Sequence, residues 1–371
     1  MLIQCVLVTV ALGAADGGVP SDAKTTMRDA FGALVRLQGA AATPASLHDP
    51  ARRAELSADL GRLANLPHAF PRDAAAQEPA TAALASLFGR YAAETQRRFD
   101  AHELDAVGPR VRTLMSLCFT CHSRERAGAD FTDAAARIDA LGLTGLERAT
   151  VLASTRQFDA ALVEYRKVLD APLTDAAAYS RALQEALTLV VRVKDDPQAT
   201  AALLDEVGAC TDLPLFIKRS LPAWKRDTAA WKAEKFDARA AKPKVLFAKA
   251  QALVLKANGA ALSADDRKDV LWLRASGYLN LALAKDPAFS GRGEALFLLG
   301  TCAAGLRSPL WWDVDALFYE ACVRENPKTP LSRRCFARLS ERVTLGFTGS
   351  AGTFIPDDEL ARLAELEALT R

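Results

Sequence analysis

Apolar residues along this chain recur at the three-and-four spacing of α-helices, and few stretches alternate as strands do. Between residues 21 and 130 the pattern predicts four helices. Ser21 caps the first, whose stripe of Met27, Ala30, Phe31 and Leu34 runs toward Gly39. Asp49-Pro50 opens the second, with Leu56, Leu60 and Leu63 inward and Pro67 as its stop. Pro79 opens the third, which carries Leu84, Leu87, Phe88, Tyr91, Thr95 and Phe99. Gly108-Pro109 opens the fourth, expected to end near Gly128. Four such helices with modest connections predict an antiparallel bundle. The start of the first and the end of the fourth then share one end.

From residue 143 to 371 the helical period continues, but the segments change character. The run Phe158–Pro172 resembles the second helix of a tetratricopeptide repeat, with Ala149 at the small position of a first helix. Ala275, Leu279, Ala282 and Pro287 keep that repeat's 4-3-5 spacing, and Tyr319, Cys322 and Pro327 keep its last two intervals. These copies lie further apart than standard repeats. An irregular helical-repeat domain is therefore expected over 143–371, with an internal boundary near 238–244, a basic segment containing Pro243. Residues 346–356 read as a Gly/Thr turn before a last short helix from Asp357, since the Lys and Ser/Thr of a phosphate-binding loop are missing.

Composition narrows the class to all-α: half of the 371 residues are hydrophobic, only 7% are aromatic, and alanine runs throughout. A formal net charge of +2, with both signs mixed, gives no sign of a nucleic-acid partner or of a polybasic membrane anchor. Residues 1–15 form a short apolar run ending in small residues, the pattern of an export signal, although no Lys or Arg precedes the run. It is too short to span a bilayer, so no transmembrane segment is expected in the mature chain.

The strongest chemical signal is Cys118-Phe119-Thr120-Cys121-His122, which has the order of a c-type haem attachment site. With seven Cys and four His in the chain, chance would produce this order about once in seven hundred such sequences. On a helix the three residues fall at i, i+3 and i+4, so two thioethers and one imidazole can address the same group. A redox dithiol and a zinc half-site are the alternatives. The first expects a preceding strand, whereas Val111, Leu114, Met115 and Cys118 repeat with helical period. The second needs further ligands, and no second close-spaced pair follows.

A four-helix bundle with its only C-x-x-C-H near the end of the last helix resembles the class II c-type cytochromes, the cytochrome c′ and c-556 group, over roughly residues 21 to 130. The resemblance implies one covalent haem c, with Cys118 and Cys121 as thioether sites and His122 as proximal iron ligand. It also implies that a residue early in the first helix faces the distal side, and Met27 is the match by location. His68, just past Pro67 at the same end, competes for the sixth position, and an open position is the third alternative. The expected function is single-electron transfer by an exported, periplasmic protein whose repeat domain docks a protein redox partner and does not touch the iron. A gas-binding or sensing protein is the alternative, and an enzyme is less expected because no polar distal acid–base group shows near the motif. Arg124-Glu125-Arg126 reads as a solvated helix end or a propionate partner. Cys210, Cys302, Cys322 and Cys335 read as buried small residues rather than as disulfide partners, though an exported protein can pair them.

Overall fold

A computed structural model describes residues 21–42, 44–69, 79–124, 134–259, 267–306 and 314–371. The expected export signal at 1–15 lies outside them. Among the described residues there are seventeen α-helices and one two-stranded hairpin, so the all-α class is shown. No helix there is long and apolar enough to cross a membrane.

Helix α1 (Ser21–Ala42), the short α2 (Pro44–Leu47), α3 (Arg53–Ala69), α4 (Pro79–Asp100) and α5 (Leu104–His122) come first. The four long ones pack antiparallel around Leu37, Leu56, Leu60, Leu63, Val111 and Leu114, all fully buried. Polar pairs set their register. Arg36 reaches across from α1 to the buried Asp59 of α3 with bonds of 2.7 and 2.6 Å. Ser57 near the start of α3 donates to Asp100 at the end of α4, 2.9 Å. Arg110 of α5 donates to Thr95 of α4 at 3.0 Å and lies 4.0 Å over the Tyr91 ring. At the other end α3 and α4 approach so closely that a Cβ at Gly89 would stand 2.5 Å from Pro67 Cγ and 2.9 Å from the Ala64 carbonyl oxygen. Only glycine fits there.

Several boundaries differ from the sequence expectation. Helix α1 runs through Gly39 to Ala42, because the missing side chain admits Leu141, 3.1 Å from where a Cβ would be. Helix α3 runs through Pro67 to Ala69. Helix α5 starts at Leu104, ahead of Pro109, and ends at His122 rather than near Gly128. The Ser123 carbonyl is taken by the Arg192 guanidinium at 2.9 Å, a tertiary partner that the local sequence does not announce.

After α6 (Ala134–Asp139) the chain continues as packed helix pairs. Helices α7 (Gly145–Ser154) and α8 (Phe158–Asp170) form one hairpin, turned at Arg156 with φ 62°. Asp175 caps α9 (Ala176–Leu187) by accepting from the Ala177 and Ala178 amides. That helix widens into a π-turn over Thr188–Val193. Then follow α10 (Pro197–Gly208), α11 (Leu215–Lys232), α12 (Pro243–Gly259), α13 (Asp269–Lys285), α14 (Arg292–Leu306), α15 (Val314–Glu325) and α16 (Pro330–Gly346). The strands β1 (Thr348–Gly349) and β2 (Gly352–Thr353) make the turn before α17 (Asp357–Ala368). Cys322 and Cys335 form a disulfide between α15 and α16, which corrects their reading as unpaired core residues. The two helices pack side by side with both sulfurs buried at their contact. Cys210 and Cys302 are free.

One buried carboxyl gives this part a pH signature. Burial lifts Asp195, at the end of the π-turn, to about 6, against the opposing pull of the Arg274 guanidinium and of a hydrogen bond from Tyr278. An acid raised in the folded state binds more protons than the unfolded chain between its ordinary value and about 6, so stability falls as pH rises through that window. Asp195→Asn should therefore stabilise the protein above pH 6, by on the order of 1 kcal/mol after allowance for partial exposure. Asparagine also tolerates the φ of 53° at this position. Thermal melts of both proteins at pH 4 and pH 7.5 test this: the gain should appear at the higher pH and vanish at the lower.

Candidate functional site

Three adjacent stripes of helix α5 carry the motif. Val107, Val111, Leu114, Cys118 and Cys121 follow one another at four- and three-residue steps. The two cysteines thus continue, half-buried, the line of residues that fills the core of the first four helices. The second stripe is Met115, Phe119 and His122, and it turns toward α7. Ser116 and Ser123 form the third.

The second stripe is held by one residue of the next helix pair. Ser154 Oγ donates to the Met115 carbonyl at 2.8 Å, and the Ser154 carbonyl accepts a short hydrogen bond from His122 Nδ1. A carbonyl can only accept, so the Nδ1 carries the proton and the lone pair of this imidazole sits on Nε2. Burial first and the Arg156 guanidinium second lower the His122 ring to about 4, against the opposing Ser154 bond. The ring is neutral at physiological pH.

The third stripe is held by two arginines from α9 and its π-turn. Arg181 donates to Ser116 Oγ at 3.1 Å, and Arg192 donates to both the carbonyl and the hydroxyl of Ser123, at 2.9 and 2.8 Å. A π-turn displaces the residues after it relative to a regular helix, and here it aims Arg192 at the motif. Burial first and the neighbouring Arg124 second bring the Arg192 guanidinium down to about 9. Arg124 is itself buried, donating to Asn280 Oδ1 of α13 at 3.1 Å and to Thr81 of α4 at 3.0 Å, with the Phe318 ring 5.7 Å away. Both arginines line a small enclosed cavity with Leu84, Thr120 and Asn280.

One expectation is corrected here. Arg124 is an inter-helix tie rather than a solvated helix end, because its guanidinium finds acceptors on two other helices; Glu125 and Arg126 lie outside the described residues. The helices after residue 143 contact the motif. They supply the hydrogen-bond acceptor of His122 and the donors that close the end of α5. The one warning in the sequence was Arg192, a lone cation inside the apolar run Leu187–Val193. Ser154 gave none, since its carbonyl and not its side chain meets the imidazole.

Met27 is half-buried on α1 and packs against the core, whereas His68 is exposed in the last turn of α3. Leu47, just past α1, lies beside Gly108 near the start of α5, and Arg124 past the end of α5 reaches Thr81 at the start of α4. The starts of α1 and α4 and the ends of α3 and α5 therefore share one end of the first four helices.

The thiols are free and lie close together. Burial, followed by the adjacent Cys121, raises the Cys118 thiol to about 12. A redox dithiol needs a thiolate at neutral pH, so this environment weighs against that chemistry. Among the described residues no three His, Cys, Asp or Glu side chains converge as metal ligands do. No known family, curated protein or solved structure matches the chain.

Proposed function

We propose that the chain is an exported, monohaem c-type cytochrome that carries single electrons, similar in its first part to the class II group. Cys118 and Cys121 would hold haem c through thioethers, and His122 would ligate the iron through Nε2. The observation that carries this reading is the C-x-x-C-H order on α5 together with the His122 bond to Ser154. A metal-bound histidine ordinarily gives its other N–H to a carbonyl or carboxylate, which fixes the tautomer and the ring plane. Here that acceptor is present, the imidazole is neutral, and two free thiols lie on the adjacent stripe of the same helix, so the donor set fits the group.

When bound, haem c supplies one-electron chemistry at iron. The chain's own residues do the rest. Ser154 orients the ring, Arg181 and Arg192 hold the last two turns of α5 in place, and the apolar core excludes water from one side of the motif. Met27 is the preferred sixth ligand, since it is half-buried and soft where His68 is exposed. The stacked helices beyond residue 143 would dock a protein redox partner on the surfaces they do not use against α5.

Adding carbon monoxide to the reduced holoprotein tests the carrier reading against the gas-binding one. A Met27-ligated iron resists the gas and shows, when oxidised, a sulfur-to-iron band in the near infrared that disappears in Met27→Ala. Rapid gas binding by the unaltered protein, with no such band, would favour an open position and a gas-binding function.

A further inference from the structure

The π-turn over Thr188–Val193 is fastened on two sides. On one, Arg192 donates to the carbonyl and the hydroxyl of Ser123, just past the end of α5. On the other, the turn lies directly on α13: a Cβ at Gly277 would stand 3.2 Å from the Arg192 carbonyl oxygen and 3.3 Å from Arg192 Cγ. Any movement of the turn on α13 therefore carries Arg192 with it. Asp195 completes the turn. The Lys194 amide donates to the Leu189 carbonyl at 2.9 Å and the Asp196 amide to the Val190 carbonyl at 3.1 Å. Between them Asp195 is held at φ 53°, a left-handed conformation that few side chains other than asparagine and aspartate accept.

The Asp195 carboxyl is half-buried among groups from several elements. Arg274 and Tyr278 face it from α13, and Arg239 and Asp237 from the loop after α11. Arg274, only 2% exposed, is already engaged: it donates to Glu234 at 3.0 Å and to Tyr278 at 3.3 Å, and it lies 4.6 Å over the Trp231 ring. Glu234 also takes Lys249 of α12 at 2.6 Å, Lys194 on the turn pairs with Asp159 of α8, and Asp196 caps α10. Asp195 itself forms no ion pair among the described residues. Its neutral form suits this setting, and its charged form is better served by water.

We propose that ionisation of Asp195 loosens the π-turn from α13 and, through Arg192, its grip on the end of α5, so that the turn is a proton-operated clasp. The sign follows from linkage. A carboxyl that burial makes a weaker acid in the closed turn regains its ordinary acidity when the turn opens, so opening releases a proton and is favoured as pH rises. The clasp is thus tight in acid and looser toward neutral pH, in keeping with the stability expected of Asp195→Asn. What it holds is the turn of α5 that carries Cys121 and His122. It acts whether or not a prosthetic group is attached.

Hydrogen–deuterium exchange of the full chain at pH 4 and pH 7.5 tests this, read by mass spectrometry on peptides covering 188–196 and 116–124. Once the intrinsic pH dependence of amide exchange is divided out, opening of both peptides should rise together by at least about tenfold at the higher pH. A peptide over 56–63, in the fully buried part of α3, should stay level. In Asp195→Asn the rise should vanish from both peptides. In Asp237→Asn it should persist with its midpoint at lower pH, because a negative charge that opposes ionisation of Asp195 has been removed. A rise that survives Asp195→Asn, or that disappears in Asp237→Asn, would assign the titration to another group and overturn the proposal. So would a rise confined to 188–196 in the unaltered protein, since Arg192 would then transmit nothing to α5.

Discussion

Replacing Cys118 and Cys121 by serine should give a folded protein without covalent haem, even when it is made alongside a haem-attachment system. Serine is nearly isosteric with cysteine and both positions are half-buried at the end of a helix, so the fold should survive with a loss of about 1–2 kcal/mol. What disappears is the pair of sulfurs that alone can form thioethers. Intact mass separates the outcomes: the parent should carry the added mass of one haem, each single variant should be attached incompletely, and the double variant should run at the apoprotein mass. A parent chain without added mass under those conditions would remove the basis of the proposed function. His122→Ala asks a different question, because the thioether sites remain. The prosthetic group should stay attached with an altered iron spectrum, and the Ser154 carbonyl, left without its donor, should cost about 1–3 kcal/mol of stability.

The second large effect lies one helix away, at Glu185. Its side chain is 1% exposed and accepts from Thr150 Oγ1 at 2.9 Å, Tyr165 Oη at 2.5 Å and Arg181 Nε at 2.8 Å. Burial and this carboxylate hold the Tyr165 hydroxyl well above its ordinary value, so it stays a donor at any pH the protein meets. Glu185→Ala would strand the Arg181 charge in a region that has no other carboxylate for it among the described residues. Removing one partner of a buried pair costs about 3–5 kcal/mol, far more than the pair contributes against an apolar replacement. Glu185→Gln keeps an acceptor and should cost clearly less. Urea unfolding measures both, and a loss below about 1 kcal/mol in the alanine variant would mean that the network is solvated. Because Arg181 also holds Ser116 on α5, the same substitution should disturb the spectrum of the holoprotein, which an isolated stability defect would not.

The sequence carried the helical class and the motif, and it located the starts of α3, α4 and α17 within a few residues. Local chemistry sets those features: proline and aspartate at helix starts, a period of apolar positions, and two sulfurs and an imidazole in a fixed order. It did not carry the helix ends that tertiary partners decide. Gly39 was read as a stop, yet it is a point of close approach for Leu141. The end of α5 is set by Arg192, sixty-nine positions further on. Arg124 looked solvated because its neighbours in sequence are charged, whereas its neighbours in space are Asn280, Thr81 and Phe318. Cys322 and Cys335 lie thirteen residues apart on successive helices, and nothing in that spacing distinguishes a bond from two packed thiols.

The bond from His122 to Ser154 also orders events in time. A chain emerging from its amino end delivers the motif thirty-two residues before Ser154, and α9 with its π-turn later still. Until those helices arrive, the carboxyl-terminal turn of α5 has no lid, and its thiols are open to the machinery that must reach both of them. Once Ser154, Arg181 and Arg192 engage, the last two turns of α5 are tied at Met115, Ser116 and Ser123. On the reading proposed above, the prosthetic group is therefore installed on a nascent or newly exported chain, and the later helices close over a finished site.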